Sequence, residues 1–233
     1  MYLDTANLTD IQHYRDLGIL KGITTNPTLL KAAYDEQESK KAHSNLFIQK
    51  TPIKIFREYR IREILETRPA QLFVQVLGND ADALVHDFGQ LLALFPDAPL
   101  GIKVPINTEG LRAVREMRAQ WPDIPLLGTA IYSAEQAILA GIAGCAYVAP
   151  YVNRMENNGI DPYAVIATAR HYYEEHAINC RIMGASFKNT QQILNALDAG
   201  AHTCTIPPEL LRQMLEKTVA NEAIRVFNAD GGL

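Results

Sequence analysis

Short apolar runs of strand length alternate with amphipathic stretches from one end of the chain to the other. The runs are Tyr2–Thr5, Gly22–Thr25, Gln71–Val76, Leu100–Val104, Pro125–Thr129, Cys145–Ala149, Arg181–Ala185 and Thr203–Ile206. Between them, apolar positions at three- and four-residue spacing predict helices over Thr9–Leu17, Asp80–Leu94, Thr108–Gln120, Ala134–Ala140, Pro162–His176, Thr190–Leu197 and Pro208–Lys217. A final short helix is expected over Asn221–Phe227, within about 221–228. Apolar strands separated by helices imply parallel pairing through crossover connections. Eight such units in 233 residues suit one α/β domain over 1–233, a single (β/α)8 TIM barrel. A doubly wound open sheet competes, but it normally carries a glycine-rich turn after its first strand, and here that turn holds Asp4, Thr5, Ala6 and Asn7.

One unit breaks the rhythm. Pro27 to Gln71 is much longer than the others, with a polar stretch over Asp35–Lys50 ahead of a helix at Ile53–Glu66. Thr51 and Pro52 read as the N-cap and first residue of that helix. An insertion after the second strand emerges on the C-terminal face of a barrel. It reads either as a solvated loop or subunit contact, or as a partial lid carrying Leu46, Phe47 and Ile48, with Lys40, Lys41, His43 and Lys50 nearby.

Composition narrows the classes. Hydrophobic residues make up 48% of the chain, enough for a large core. Mean hydropathy is near zero, and no apolar run approaches the ~20 residues of a membrane span. The opening residues show no basic leader before an apolar stretch, so a cytoplasmic protein is expected. A net charge of −4 gives no basic excess for nucleic acid. Cys145, Cys180 and Cys204 lie far apart, as free thiols in a reducing compartment do. Even the closest histidine pair, His171 and His176, is badly spaced for one helix face, and no metal is expected.

The chemistry centres on Lys103. Ile102 and Val104 flank it in an apolar strand, so its side chain points to the opposite face from theirs. In an interior strand the ammonium would face an enclosed space, and desolvation would lower its pKa and free a nucleophilic amine. That amine can form a Schiff base with a carbonyl. An edge-strand lysine kept for solubility is the plainer reading. Catalytic groups in such barrels gather at the C-terminal strand ends. Those ends carry Asp4, Thr24 with Asn26, Gln75, Lys103, Thr129, Tyr151 with Arg154, and Ser186. Each has an innocent alternative: Asp4, Asn7 or Ser186 as helix caps, Asn26 in a turn with Pro27, Tyr151 in the core. Together they read as the wall of one pocket.

Seven blocks carry a resemblance. They are residues 2–5 (YLDT), 22–27 (GITTNP), 73–76 (FVQV), 102–105 (IKVP), 127–132 (LGTAIY), 148–154 (VAPYVNR) and 185–188 (ASFK). In this order they resemble the small transaldolase family from the first strand to the last helix, outside the long segment after Pro27. The resemblance implies a (β/α)8 barrel with a Schiff-base lysine on strand four, where Lys103 stands. It implies substrates among sugar phosphates and short hydroxyketones, with no metal or organic cofactor. Gln75 and Tyr151 match the aldolase branch, whereas transaldolases carry glutamate and phenylalanine there. The implied activity is reversible cleavage of fructose 6-phosphate to dihydroxyacetone and glyceraldehyde 3-phosphate. Tyr151 would be the acid, held through water by Gln75 and Thr129. Asp4 and Asn26 would hold the donor's hydroxyls, with Asp4 assisting proton movement and Thr24 helping to line that side. Arg154 and Ser186 would bind phosphate. Transaldolase transfer and a non-catalytic sugar-phosphate binder stay open as alternatives. The branch also implies a homo-oligomer, a decamer of two pentamers, with the C-terminal helix reaching a neighbour.

Overall fold

A computed structural model describes residues 1–43 and 52–232. The elements in chain order begin β1 (Tyr2–Asp4), α1 (Leu8–Arg15), β2 (Gly22–Thr24), α2 (Pro27–His43), α3 (Ile53–Glu66), β3 (Leu72–Gln75) and α4 (Ala81–Leu94). Next come β4 (Leu100–Pro105), α5 (Thr108–Gln120), β5 (Leu126–Ile131), α6 (Ala134–Ile142), β6 (Tyr147–Pro150) and α7 (Val152–Glu156). The chain closes with α8 (Pro162–Glu175), β7 (Arg181–Gly184), α9 (Thr190–Asp198), β8 (Thr203–Ile206), α10 (Pro208–Leu215) and α11 (Thr218–Asp230). The eight strands form a closed parallel barrel in sequence order, the (β/α)8 architecture that the alternation implies.

Short polar residues start the helices. Asn7, Asp80, Asn107, Ser133, Asp161 and Asn189 each accept backbone N–H bonds at an N-terminus, so donors left without intrahelical partners are satisfied. Strand residues pointing outward, among them Leu3, Val74, Ile102, Val104, Val148 and Ile182, pack with the helices in one continuous core. Residues pointing inward fill the lower barrel: Tyr2, Phe73, Leu127, Tyr147 and Met183. Tyr2, Phe73 and Tyr147 meet edge-on or tilted, with centroids 5.4–6.3 Å apart. These rings fit because Gly22 and Gly101 carry no side chain. A Cβ at Gly101 would lie 2.3 Å from the Phe73 ring, and one at Gly22 would lie 2.8 Å from the Tyr2 ring.

The long unit after β2 differs from the expected loop. Its polar start is helical: α2 runs without a break from Pro27 to His43. Asn26 Oδ1 accepts from the Leu29 N–H at 3.0 Å, Pro27 occupies the first helical position, and Lys31–Asp35 and Lys40–Glu36 are i,i+4 ion pairs. Leu46, Phe47, Ile48 and Lys50 of the expected lid lie outside the described residues, as does Thr51. Pro52 stands at the N-cap of α3 rather than at its first residue. The C-terminal helix is longer than expected, and α7 is an unforeseen short helix immediately after β6. Among the described residues no helix is long and apolar enough to cross a membrane.

Candidate active site

Above the aromatic layer the inward positions turn polar. The register pairs Asp4 with Thr24, Gln75 with Lys103 and Pro105 with Thr129, so one rim collects these side chains. Asp4, Asn26, Gln75, Lys103, Tyr151, Arg154 and Ser186 all line one cavity of about 360 Å³ at the C-terminal ends of the strands. A larger cavity of about 630 Å³ opens on the other side of Asp4, between α1 and α10. It holds charged helix side chains but no amine nucleophile, and the chemistry therefore favours the smaller one.

Lys103 is 4% exposed, and its Nζ donates to the Thr25 carbonyl at 3.2 Å. Burial pulls its pKa below the usual lysine value, and the negative charge of Asp4 partly opposes that pull. Its neighbours Ile102 and Val104 belong to the core between sheet and helices, as strand alternation requires. Burial raises the Asp4 carboxyl above the ordinary aspartate value, against the pull of Lys103 and of the Thr24 hydroxyl. Thr24 does not line the cavity. It is buried behind Asp4, its hydroxyl 2.6 Å from Asp4 Oδ1 and 2.6 Å from Thr205 Oγ1. Asn26 spends its side-chain oxygen capping α2, and its amide nitrogen remains the group it can offer the cavity.

The opposite wall is built by β5, β6 and α7. Tyr151 and Thr129 hydroxyls lie 2.9 Å apart, in direct contact rather than through water. Burial raises the Tyr151 phenol above its ordinary pKa, and the bond with Thr129 offsets part of that rise. Arg154 lies with its guanidinium carbon 5.2 Å from the Tyr151 ring centroid and donates to the Tyr132 hydroxyl at 3.4 Å. Tyr132 meets the Tyr151 ring edge-on at 5.6 Å. Ser186 has φ +60°, in the left-handed region; it does not cap α9, a task done by Asn189, and neither does Asp4 cap α1, where Asn7 serves.

Several residues of the cavity went unread in the sequence. Thr205 sits at the end of β8, and the strand-end pattern extended by one strand would have found it. Tyr132 lies in a quoted block but earned no role there. Ala130, with φ +57°, makes the irregularity where the β5–β6 register shifts between Gly128 and Ile131. Past the bulge, which no local signal announces, Ala130 and Tyr132 both stand in the cavity wall. Thr129, expected in that wall, instead stands behind it against Tyr151. Below the rim, Arg57 of α3 grips Asp87 of α4 through two bonds of 2.8 Å and the Gln75 carbonyl at 3.0 Å. Asp87 also accepts from the Leu77 N–H at 2.9 Å, so the backbone on both sides of the Gln75–Val76 link is fixed.

Among the described residues no three His, Cys, Asp or Glu side chains come together as a metal site. What the cavity offers is a buried amine facing a carboxylate, a phenol backed by a threonine hydroxyl behind the wall, and a guanidinium at the mouth. A family model described as Transaldolase/Fructose-6-phosphate aldolase matches residues 1–230, and the chain belongs to that family of transaldolase- and aldolase-type enzymes.

Proposed function

We propose that this chain is a Schiff-base aldolase that reversibly cleaves fructose 6-phosphate, with Lys103 as the imine-forming nucleophile. The observation that carries the reading is the Lys103 amine, buried on β4 in a cavity that Asp4 and Tyr151 also line, with Thr129 behind the wall holding the Tyr151 hydroxyl. Desolvation favours the neutral amine that attack on the C2 ketone requires. Loss of water gives a protonated imine, an electron sink that lets the C3–C4 bond break into an enamine. Asp4 and Asn26 hold the donor's hydroxyls, and Asp4 takes part in proton movement. Tyr151, kept protonated by burial, returns a proton to the enamine carbon. Arg154 and Ser186 at the mouth bind the phosphate.

A transaldolase that keeps the enamine until an acceptor aldose phosphate arrives is the second reading, because the matched family covers both activities. Gln75 and Tyr151 favour release: a phenol can protonate the enamine carbon, which a phenylalanine cannot. Free dihydroxyacetone from fructose 6-phosphate alone separates the two. Borohydride reduction in the presence of fructose 6-phosphate, read by peptide mass spectrometry, tests the core of the proposal. An adduct on Lys103 is expected, and none in Lys103→Met; an unlabelled wild-type lysine would remove the Schiff-base reading. A homo-oligomer is part of the same proposal, supported by α11, which buries no residue in the single chain.

A further inference from the structure

Thr24 and Thr205 are 181 residues apart in sequence, on the two strands that flank β1, and their hydroxyls are in contact. Both are buried, at 0% and 2% exposure, but only Thr205 reaches the cavity wall. Each hydroxyl has one proton to give. An ionised Asp4 only accepts, so Thr24 donates to Asp4 Oδ1, and the proton between the two threonines must then come from Thr205. With Asp4 ionised, the chain runs from Thr205 to Thr24 to Asp4. Both links are 2.6 Å, at the short end for hydroxyl bonds, as expected where one end is charged. With its proton committed inward, Thr205 presents lone pairs to the cavity.

We infer that Thr205 is a further substrate-contacting residue of this site, taking the proton of the substrate hydroxyl that becomes a carbonyl and relaying its charge through Thr24 to Asp4. The inference rests on the Schiff-base reading above. In cleavage the C4 hydroxyl O–H bond breaks, and its electron pair becomes the π bond of the product aldehyde. The C3–C4 bonding pair moves into the enamine and neutralises the imine nitrogen. The released proton bonds to Thr205 Oγ1, the Thr205 proton passes to Thr24 Oγ1, and the Thr24 proton passes to Asp4 Oδ1. Both threonines end neutral and Asp4 ends as the acid; synthesis runs the same steps backwards. The second Asp4 oxygen stays available to hold a donor hydroxyl throughout.

The plainer role, two hydroxyls that merely fix the Asp4 rotamer, predicts a different response. Fructose 6-phosphate is the probe, with borohydride capture on Lys103 and glyceraldehyde 3-phosphate formation measured in parallel. Thr205→Val keeps the volume and removes the relay. Its capture should match the unmodified enzyme, its KM should change little, and its kcat should fall roughly 100-fold, the scale of a lost proton-transfer group. Thr205→Ser restores a hydroxyl and should recover kcat to within about threefold, on the same basis. An unchanged kcat in Thr205→Val, or a Thr205→Ser as slow as it, overturns the relay while leaving Lys103 capture intact. Absence of capture in the unmodified enzyme overturns the Schiff-base reading and the relay with it. Should Thr205→Val fail to fold, the unmodified enzyme decides in H2O–D2O mixtures. A curved dependence of kcat on deuterium fraction, from several protons moving together, supports the relay, and a linear or flat one overturns it.

Discussion

Replacing Tyr151 by phenylalanine separates what the ring does from what the hydroxyl does. The ring is held by Tyr132 at 5.6 Å and by the Arg154 guanidinium at 5.2 Å, contacts that phenylalanine keeps. Only the 2.9 Å bond with Thr129 disappears. Thr129 is 1% exposed, so its hydroxyl loses a partner it cannot replace with bulk water. That costs about 1–3 kcal/mol of stability, visible as a lower urea midpoint at unchanged slope. The catalytic loss is larger. A positioned general acid is worth about 10²- to 10⁴-fold, or about 3 to 5 kcal/mol of barrier. The assay follows dihydroxyacetone from fructose 6-phosphate alone, then transfer from fructose 6-phosphate to an added aldose phosphate. Release should fall by at least about 100-fold, whereas transfer, which consumes the enamine without that proton, should fall far less. If both activities drop by the same factor, Tyr151 does not choose between release and transfer, and the assignment of its hydroxyl is wrong.

Capture of hydroxyacetone by borohydride needs the free Lys103 amine, so its rate rises with pH through the lysine pKa. Asp4 holds that pKa up against burial, and in Asp4→Asn the rise should therefore move to lower pH; a move to higher pH contradicts the electrostatics. Gly101→Ala drives a methyl into the Phe73 ring, which Tyr2 and Tyr147 hold in place. About 1–3 kcal/mol should be lost, and a urea midpoint equal to that of the unmodified chain would mean that the ring layer is loose. Arg57→Met strands Asp87 in a pair only 9% and 13% exposed, at a cost of about 3–5 kcal/mol. Arg57→Met with Asp87→Leu should regain most of it, and an unrecovered double variant would deny the coupling. In α11, Val219 and Phe227 are 83% and 68% exposed. Light scattering should give a mass above a dimer, reduced in Phe227→Asp; a monomeric mass for the unmodified chain rejects assembly through this helix.

The strands were legible because parallel barrel strands are buried on both faces and read as bare apolar runs. The α5 helix was read to the residue, since Thr108–Gln120 has a strong apolar stripe and Asn107 caps it. The α2 helix was not, because its Asp35–His43 half is polar, so the periodicity that marks a packed helix is absent there. The α7 helix is five residues long, too short to show a period. Alternation alone placed Lys103 inward, and strand ends supplied most of the cavity wall. The Thr24–Thr205 contact, the Arg57 clamp under Gln75 and the bulge at Ala130 arise from pairing between distant segments, which a local pattern does not carry.

The rings of Tyr2, Phe73 and Tyr147 fill the barrel beneath Lys103, so the candidate cavity has an aromatic floor. Under the proposed chemistry, the fragment bound to Lys103 lies at the bottom and the phosphate-bearing fragment lies under Arg154 and Ser186. Under that chemistry the stacking of one fragment over the other imposes an order. The aldehyde phosphate must leave before the ketone can, and in synthesis the ketone must enter first. Under the proposed chemistry, the lower barrel therefore sets the kinetic sequence of a reaction whose atoms it never touches.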